Sequence, residues 1–241
     1  MKTHNARRTA LFLSFFLLPV TMNYFSPIIL IFSSMEGIVS ASFVIWTALF
    51  VTSLFVGRTF CSYLCPYGGM QMAYDKASPK AFRYVRWLMP ARYILGTVWV
   101  LFILYAVIRS GGLGKLEIFY NTENIVSLDN VSGVIRYYMI LGAAFLFVHV
   151  MGRRSFCKYL CPMAILNTLG TRIKNYLKLP SLKMTVNADQ CSQCKKCDQV
   201  CPMTLKVSDM VKQGQLIHDD CILCGECQAA CHKQAIKRAF F

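Results

Sequence analysis

The chain has 241 residues, of which 56% are hydrophobic, twelve cysteines and a formal net charge of +15. A mean hydropathy of +0.45 is too high for an ordinary soluble domain, and a chain this small cannot bury so much apolar surface without lipid. Nucleic-acid binding has no compositional support, because residues 180–241 hold eight Lys/Arg against six Asp/Glu.

Four stretches approach the ~20 apolar residues that cross a bilayer. They are 10–32, 38–56, 91–108 and 134–151, and each is expected to be a membrane helix. The first follows Lys2, Arg7 and Arg8 but is longer than the ~7–15 residues of a signal-peptide core, and no small-x-small site follows it. An uncleaved helix is the better reading.

Charge orients these helices. Excluding residues 180–241, one set of loops holds Arg109, Lys115 and Arg136, and the other holds the remaining fifteen Lys/Arg. The positive-inside rule puts both termini in the cytoplasm, as a multi-pass protein of a bacterial or archaeal inner membrane. The basic rim is expected to meet anionic head groups of the membrane lipid. With all twelve cysteines on the reducing side, metal ligation is favoured over structural disulfides.

Two segments repeat at a separation of 96 residues, Cys61-Ser62-Tyr63-Leu64-Cys65-Pro66 and Cys157-Lys158-Tyr159-Leu160-Cys161-Pro162. Each C-x3-C-P closes a pair of apolar stretches, so the membrane part reads as two repeated helical hairpins. After each motif an amphipathic stretch, 67–86 and 163–179, is expected to lie among the head groups. Cysteines four apart share a helix face, and the proline turns the chain at the second one. Three readings stay open for Cys61, Cys65, Cys157 and Cys161. They are inert buried thiols, a transient dithiol relay, or a four-thiolate site where the repeats meet, whose metal type the spacing does not decide.

Beyond Pro180 the pattern changes. Cys191, Cys194, Cys197 and Cys201 read C-x2-C-x2-C-x3-C-P, and Cys221, Cys224, Cys227 and Cys231 repeat the spacing with His232 in place of proline. This is the bacterial-ferredoxin spacing for two [4Fe-4S] clusters. The expected fold class is therefore a membrane all-α part of four transmembrane helices in two hairpins, plus a small C-terminal α+β two-cluster ferredoxin domain. Its expected domains are 1–90, 91–180 and 181–241.

Two C-x3-C-P motifs after paired apolar helices, followed by this tail, resemble the NapH/MauN family of membrane ferredoxin-type proteins, and the resemblance covers essentially the whole chain. It implies Cys191, Cys194, Cys197 and Cys231 as ligands of one cluster, and Cys201, Cys221, Cys224 and Cys227 as ligands of the other. It also implies electron transfer between the quinone/quinol pool and partner redox proteins. The departure from the family pattern is His232, which puts the turn after Cys231 in question.

His149, in the fourth stretch, is a candidate proton acceptor at a quinol site, and a packed neutral imidazole is its bland alternative. Asp75 is a weaker candidate. Tyr63 and Tyr159 read as interface anchors, and Arg58 and Arg153 as either inside-positive charges or partners of an anionic cluster. The outer segment 120–130 is a candidate partner contact. Three functions remain: a relay between quinol and a partner, an electron donor for maturation of a periplasmic metalloenzyme, and an iron–sulfur sensor or scaffold. The residues leave open whether the chain is an enzyme alone or the membrane subunit of a quinol dehydrogenase complex.

Overall fold

A computed structural model describes residues 2–77, 83, 85–88, 90–120 and 131–240. The segment 121–130, and with it most of the candidate outer contact, lies outside the described residues. In chain order the elements begin with α1 (Lys2–Phe16), α2 (Leu18–Thr21), α3 (Pro27–Met35), β1 (Ile38–Ser40), α4 (Ala41–Val56), α5 (Thr59–Tyr63) and α6 (Pro66–Ala77). The second half of the helical part holds α7 (Ala91–Arg109), β2 (Lys115–Glu117), α8 (Val131–Met151), α9 (Ser155–Tyr159) and α10 (Pro162–Tyr176). The C-terminal part follows with β3 (Leu182–Val186), α11 (Lys196–Val200), α12 (Val207–Lys212), α13 (Glu226–Ala230) and β4 (Ile236–Phe240).

Among the described residues two helices, α7 and α8, are long and apolar enough to cross a membrane, yet only 17% and 22% of their apolar windows is buried. Ile94, Val98, Leu101, Ile108, Met139 and Leu146 all face outward. A helix at the core of a soluble protein hides such residues. The other two expected spans differ from the sequence reading. The stretch 10–32 is no single helix: Pro19 sits in the one-turn α2, and Pro27 starts α3 behind Ser26, whose side chain accepts from the Ile29 N–H. Proline removes a helical donor and disfavours helix at the residue before it, so the chain breaks over 22–26. The stretch 38–56 opens with β1, which pairs in parallel with β2. That leaves α4 sixteen residues, about 24 Å of helix, short of the ~30 Å hydrocarbon core.

The stretches after each motif also depart from expectation. Of the first, residues 78–82 and 84 lie outside the described residues, and the described helices pack on their neighbours. Helix α6 packs along α1, and its Met70 and Tyr74 bury against Ala144 and Val148 of α8. Helix α10 packs along α4 and α7, with Asn167, Thr168, Thr171 and Lys174 buried. Small residues permit the approach. A Cβ on Gly69 would overlap the Leu11 carbonyl oxygen of α1. Because that neighbour is backbone, Gly69→Ala is expected to cost about 1–3 kcal/mol, read as a lower midpoint of thermal unfolding in detergent.

In the C-terminal part β3 and β4 pair antiparallel, Leu182 opposite Phe240 and Val186 opposite Ile236. The core beneath them holds Met184, Met203, Val207, Val211, Leu216 and Ile222. This is the small α+β unit that the cysteine spacing foretells.

Candidate iron–sulfur sites

The eight C-terminal cysteines separate into two fours. One cavity is lined by Cys201, Cys221, Cys224 and Cys227. A second is lined by Cys191, Cys194, Cys197 and Cys231. Each takes three cysteines from one run and the last of the other. The backbone shows why. Left-handed residues recur thirty positions apart, Gln193 with Leu223, Lys195 with Gly225, and Thr204 with Gln234. These kinks curl both C-x2-C-x2-C loops alike and turn N–H groups inward, so that Lys196 N donates to Cys194 and Glu226 N to Cys224.

Left-handed backbone is unfavourable for a residue with a Cβ. At the two matched positions glycine stands once, at 225, and lysine once, at 195. Lys195→Gly is therefore expected to stabilise by about 0.5–1 kcal/mol, measured as a later thermal loss of the cluster absorbance. The proline question at position 232 resolves simply. Cys231 has φ −83° and ψ 99°, and Cys201 before Pro202 has φ −67° and ψ 113°. The turn is the same without the ring.

Among the described residues no three His, Cys, Asp or Glu side chains converge tightly enough for a single metal ion. The cysteines instead surround a volume, as ligands that each take a different iron must. Burial pushes the Cys221 thiol up to about 12 and Cys197 up to about 11. Free thiols there stay protonated at neutral pH, and metal is what makes them thiolates. The donor set and the cavities fit two cubane clusters.

The other four cysteines come together where the two repeats meet. Cys61 and Cys157 lie on the single-turn helices α5 and α9, while Cys65 and Cys161 sit directly before the prolines that start α6 and α10. The repeat is preserved bond for bond: Cys65 N donates to Phe60 O at 3.0 Å and Cys161 N to Phe156 O at 3.0 Å. All four are buried, between 3% and 7% exposed. The amide of Gln71 donates to Cys157 Sγ at 3.0 Å, and that of Asn167, its equivalent 96 residues on, is directed at Cys61 Sγ at 4.0 Å. Each repeat thus reaches across to the first cysteine of the other.

Two arginines complete this centre. Arg58 and Arg154, also 96 apart, are 0% and 2% exposed. Arg58 Nη1 donates to Asp220 at 2.9 Å, and the guanidinium lies against Cys61. Its Nε and Nη2, and Nε and Nη1 of Arg154, have no acceptor among the described residues. Buried guanidinium groups left so require an anion. Four thiolates around an iron–sulfur cluster carry net negative charge, so the residues fit that group too. The sequence reading paired Arg58 with Arg153. The structure puts Arg154 there instead, because the second repeat holds one more residue between its glycine and phenylalanine. Arg153 is half-exposed and pairs with Asp75 at 3.5 Å.

The basic rim is spent largely on the C-terminal part rather than left to lipid. Arg58 and Arg92 share Asp220, at 2.9 and 2.6 Å. Arg172 holds Asp219 at 2.5 Å, and Arg7 pairs with Glu226. Lys158 Nζ donates to Thr204 Oγ1 at 2.7 Å, and Lys174 Nζ to Leu182 O at 2.8 Å. Burial lowers the Lys174 ammonium to about 8 from 10.5. The unfolded chain then holds the extra proton between those values, so stability rises with pH across that window. Thermal midpoints at pH 7.5 and 9.5 are expected to show the wild type gaining on Lys174→Met.

The tyrosines are not interface anchors. Tyr159 is fully buried, taking a bond from Val85 N and giving one to Arg83 O, and Tyr63 Oη accepts from Arg238. His149 bonds Tyr74 through Nδ1 at 2.9 Å. A cleft that borders Cys65 and Cys161, lined by Met22, Phe25, Trp46, Tyr67 and Phe156, was not legible before folding. Its walls come from five separated segments, which no local motif marks.

Comparison with known proteins agrees with these sites. A model described as a 4Fe-4S binding domain matches residues 40–84 and again 135–180, once for each C-x3-C-P motif. A 4Fe-4S dicluster domain matches residues 183–232. An uncharacterized protein of Methanocaldococcus jannaschii is 25% identical over 79% of this chain and 68% of its own length. YccM of Escherichia coli, named as a candidate electron transport protein, is 24% identical over 82% of this chain and 56% of its own. The regulatory protein NosR of Stutzerimonas stutzeri is 23% identical over 80% of this chain, which spans about a quarter of that protein. No solved structure matches. The chain carries 4Fe-4S-type domains over residues 40–84, 135–180 and 183–232.

Proposed function

We propose that this protein is a membrane relay passing electrons between the quinol pool and partner redox proteins, through the four-cysteine centre and two C-terminal [4Fe-4S] clusters. The observation that carries the reading is continuity. Cys65 and Cys161 border an apolar cleft, while Cys61 packs in one core with Cys201, Met203 and Leu223. The centre therefore touches the membrane-side cleft on one face and the Cys201/Cys221/Cys224/Cys227 site on the other. The Cys191/Cys194/Cys197/Cys231 site stands farther along the chain of centres.

Bound clusters supply one-electron chemistry, and the protein spaces, screens and charge-balances them. In this reading the ligand sets are those given above. Four crossings are made by the broken segment α1–α3, by β1 and α4 together, whose extended strand supplies the length that α4 lacks, by α7 and by α8. Both termini and residues 181–241 are cytoplasmic, and the two repeats occupy residues 1–90 and 91–180. A second reading, electron supply for maturation of a periplasmic metalloenzyme, draws on the similarity to a protein named as regulatory.

An EPR-monitored potentiometric titration of anaerobically purified protein separates the two. Clusters that quinol reduces support the relay from quinol. Clusters that ignore quinol, and need a strong low-potential reductant, refute that direction of flow and favour the second reading.

A further inference from the structure

We infer that the apolar cleft beside Cys65 and Cys161 is the binding site for the head group of a membrane quinone. This rests on the relay proposed above and gives that relay its entry point. The cleft has a volume of about 260 Å³, near the lower end of the ~300–1,000 Å³ usual for small-molecule sites and on the scale of one bicyclic ring system rather than a whole prenylated molecule.

Three observations converge on this occupant. First, the helix break at 22–26 faces the cleft through Met22, Asn23, Phe25 and Ser26. Non-helical backbone at membrane depth is tolerated only where it is buried in protein or lines a cavity. The break at Pro19 and Pro27 thus has a place in a binding site. Second, aromatic side chains line the cleft: Tyr67 and Phe156, packed on each other with centroids 5.6 Å apart, are joined by Phe25 and Trp46. Polar groups are few, chiefly Asn23, Tyr67 and Arg136, as orienting groups for carbonyl oxygens should be. Third, the floor carries Cys65 and Cys161 of the four-cysteine centre. A lipid-soluble redox carrier is the class of molecule that reaches a redox centre from inside a bilayer. A phospholipid chain satisfies the apolar walls but has no use for that floor.

The test uses the full-length, iron-loaded protein in phospholipid nanodiscs with an azido-naphthoquinone as photoprobe. Label is expected in the peptides holding residues 22–32, 136–140 and 156–163, and excess unlabelled naphthoquinone should compete it away. Ile140→Trp fills one wall and should weaken apparent binding by about tenfold or more with iron content and EPR spectrum unchanged. Phe32→Trp, on another wall, replaces it if that variant does not fold. Label spread over the lipid-facing sides of α7 and α8, or unmoved by competitor and by the filled cleft, overturns the inference and shows lipid-like partitioning. Labelling is read without electron transfer. Quinone bound in the cleft of a protein that quinol never reduces refutes the relay alone, while a quinol-reducible protein with an unlabelled cleft refutes the cleft alone.

Discussion

Asp220→Ala should be the most damaging single replacement outside the cysteines, lowering stability by about 3–5 kcal/mol. Asp220 is 5% exposed and takes hydrogen bonds from Arg58 at 2.9 Å and Arg92 at 2.6 Å. Those guanidinium groups are 0% and 4% exposed. Removing the carboxylate leaves two buried cations without their acceptor, the case in which breaking a buried pair is most costly. Asp220→Asn keeps one acceptor oxygen and should fall between. The contact also joins the two halves of the molecule, since Asp220 precedes Cys221 and Arg58 precedes Cys61 by three. The expected signs are a depressed thermal midpoint and faster proteolysis near Pro180. A midpoint within the error of the wild type would show that the carboxylate does not hold the halves together.

Cys61→Ser combined with Cys157→Ser should abolish reduction of the C-terminal clusters by quinol while leaving their reduction by dithionite intact. These two cysteines are the ones reached by the amides of the opposite repeat, and Cys61 packs in the core shared with Cys201. Losing them should empty the four-cysteine centre and interrupt the relay at its middle. Dithionite reaches the C-terminal clusters from water, because Cys194 is exposed. Stopped-flow bleaching of the iron–sulfur absorbance, with each reductant in turn, reads both arms. Unchanged bleaching by quinol in the double variant would remove the centre from the path.

The sequence made the C-terminal sites legible because a ferredoxin loop is local. Three cysteines at fixed spacing and a fourth four residues on leave the backbone little choice, and the eight line two cavities, four to each. The duplication was equally plain, since Cys61, Tyr63, Leu64, Cys65 and Pro66 each recur 96 residues later. Its register was less so. Aligning by the glycines pairs Arg58 with Arg153, whereas aligning by the cysteines pairs it with Arg154, and burial follows the cysteines. Hydropathy found the apolar stretches but not the break at 22–26, because windowed apolarity is blind to Pro19 and Pro27. The stretches 67–86 and 163–179 read as interfacial because their charges are many. Lys174 and Arg172, however, turn toward the C-terminal part, and the intervening faces pack on neighbouring helices. The cleft was invisible because residues from 22 to 163 meet there only in three dimensions.

Counting iron and acid-labile sulfide in anaerobically purified full-length protein tests the central claim most directly. The two C-terminal clusters account for about eight of each per chain. A cluster on the four-cysteine centre raises the count to about ten for a two-iron cluster or about twelve for a cubane, falling to about eight in the Cys61→Ser, Cys157→Ser variant. About eight in the wild type, with Cys61, Cys65, Cys157 and Cys161 free to react with an alkylating agent after unfolding, would contradict it.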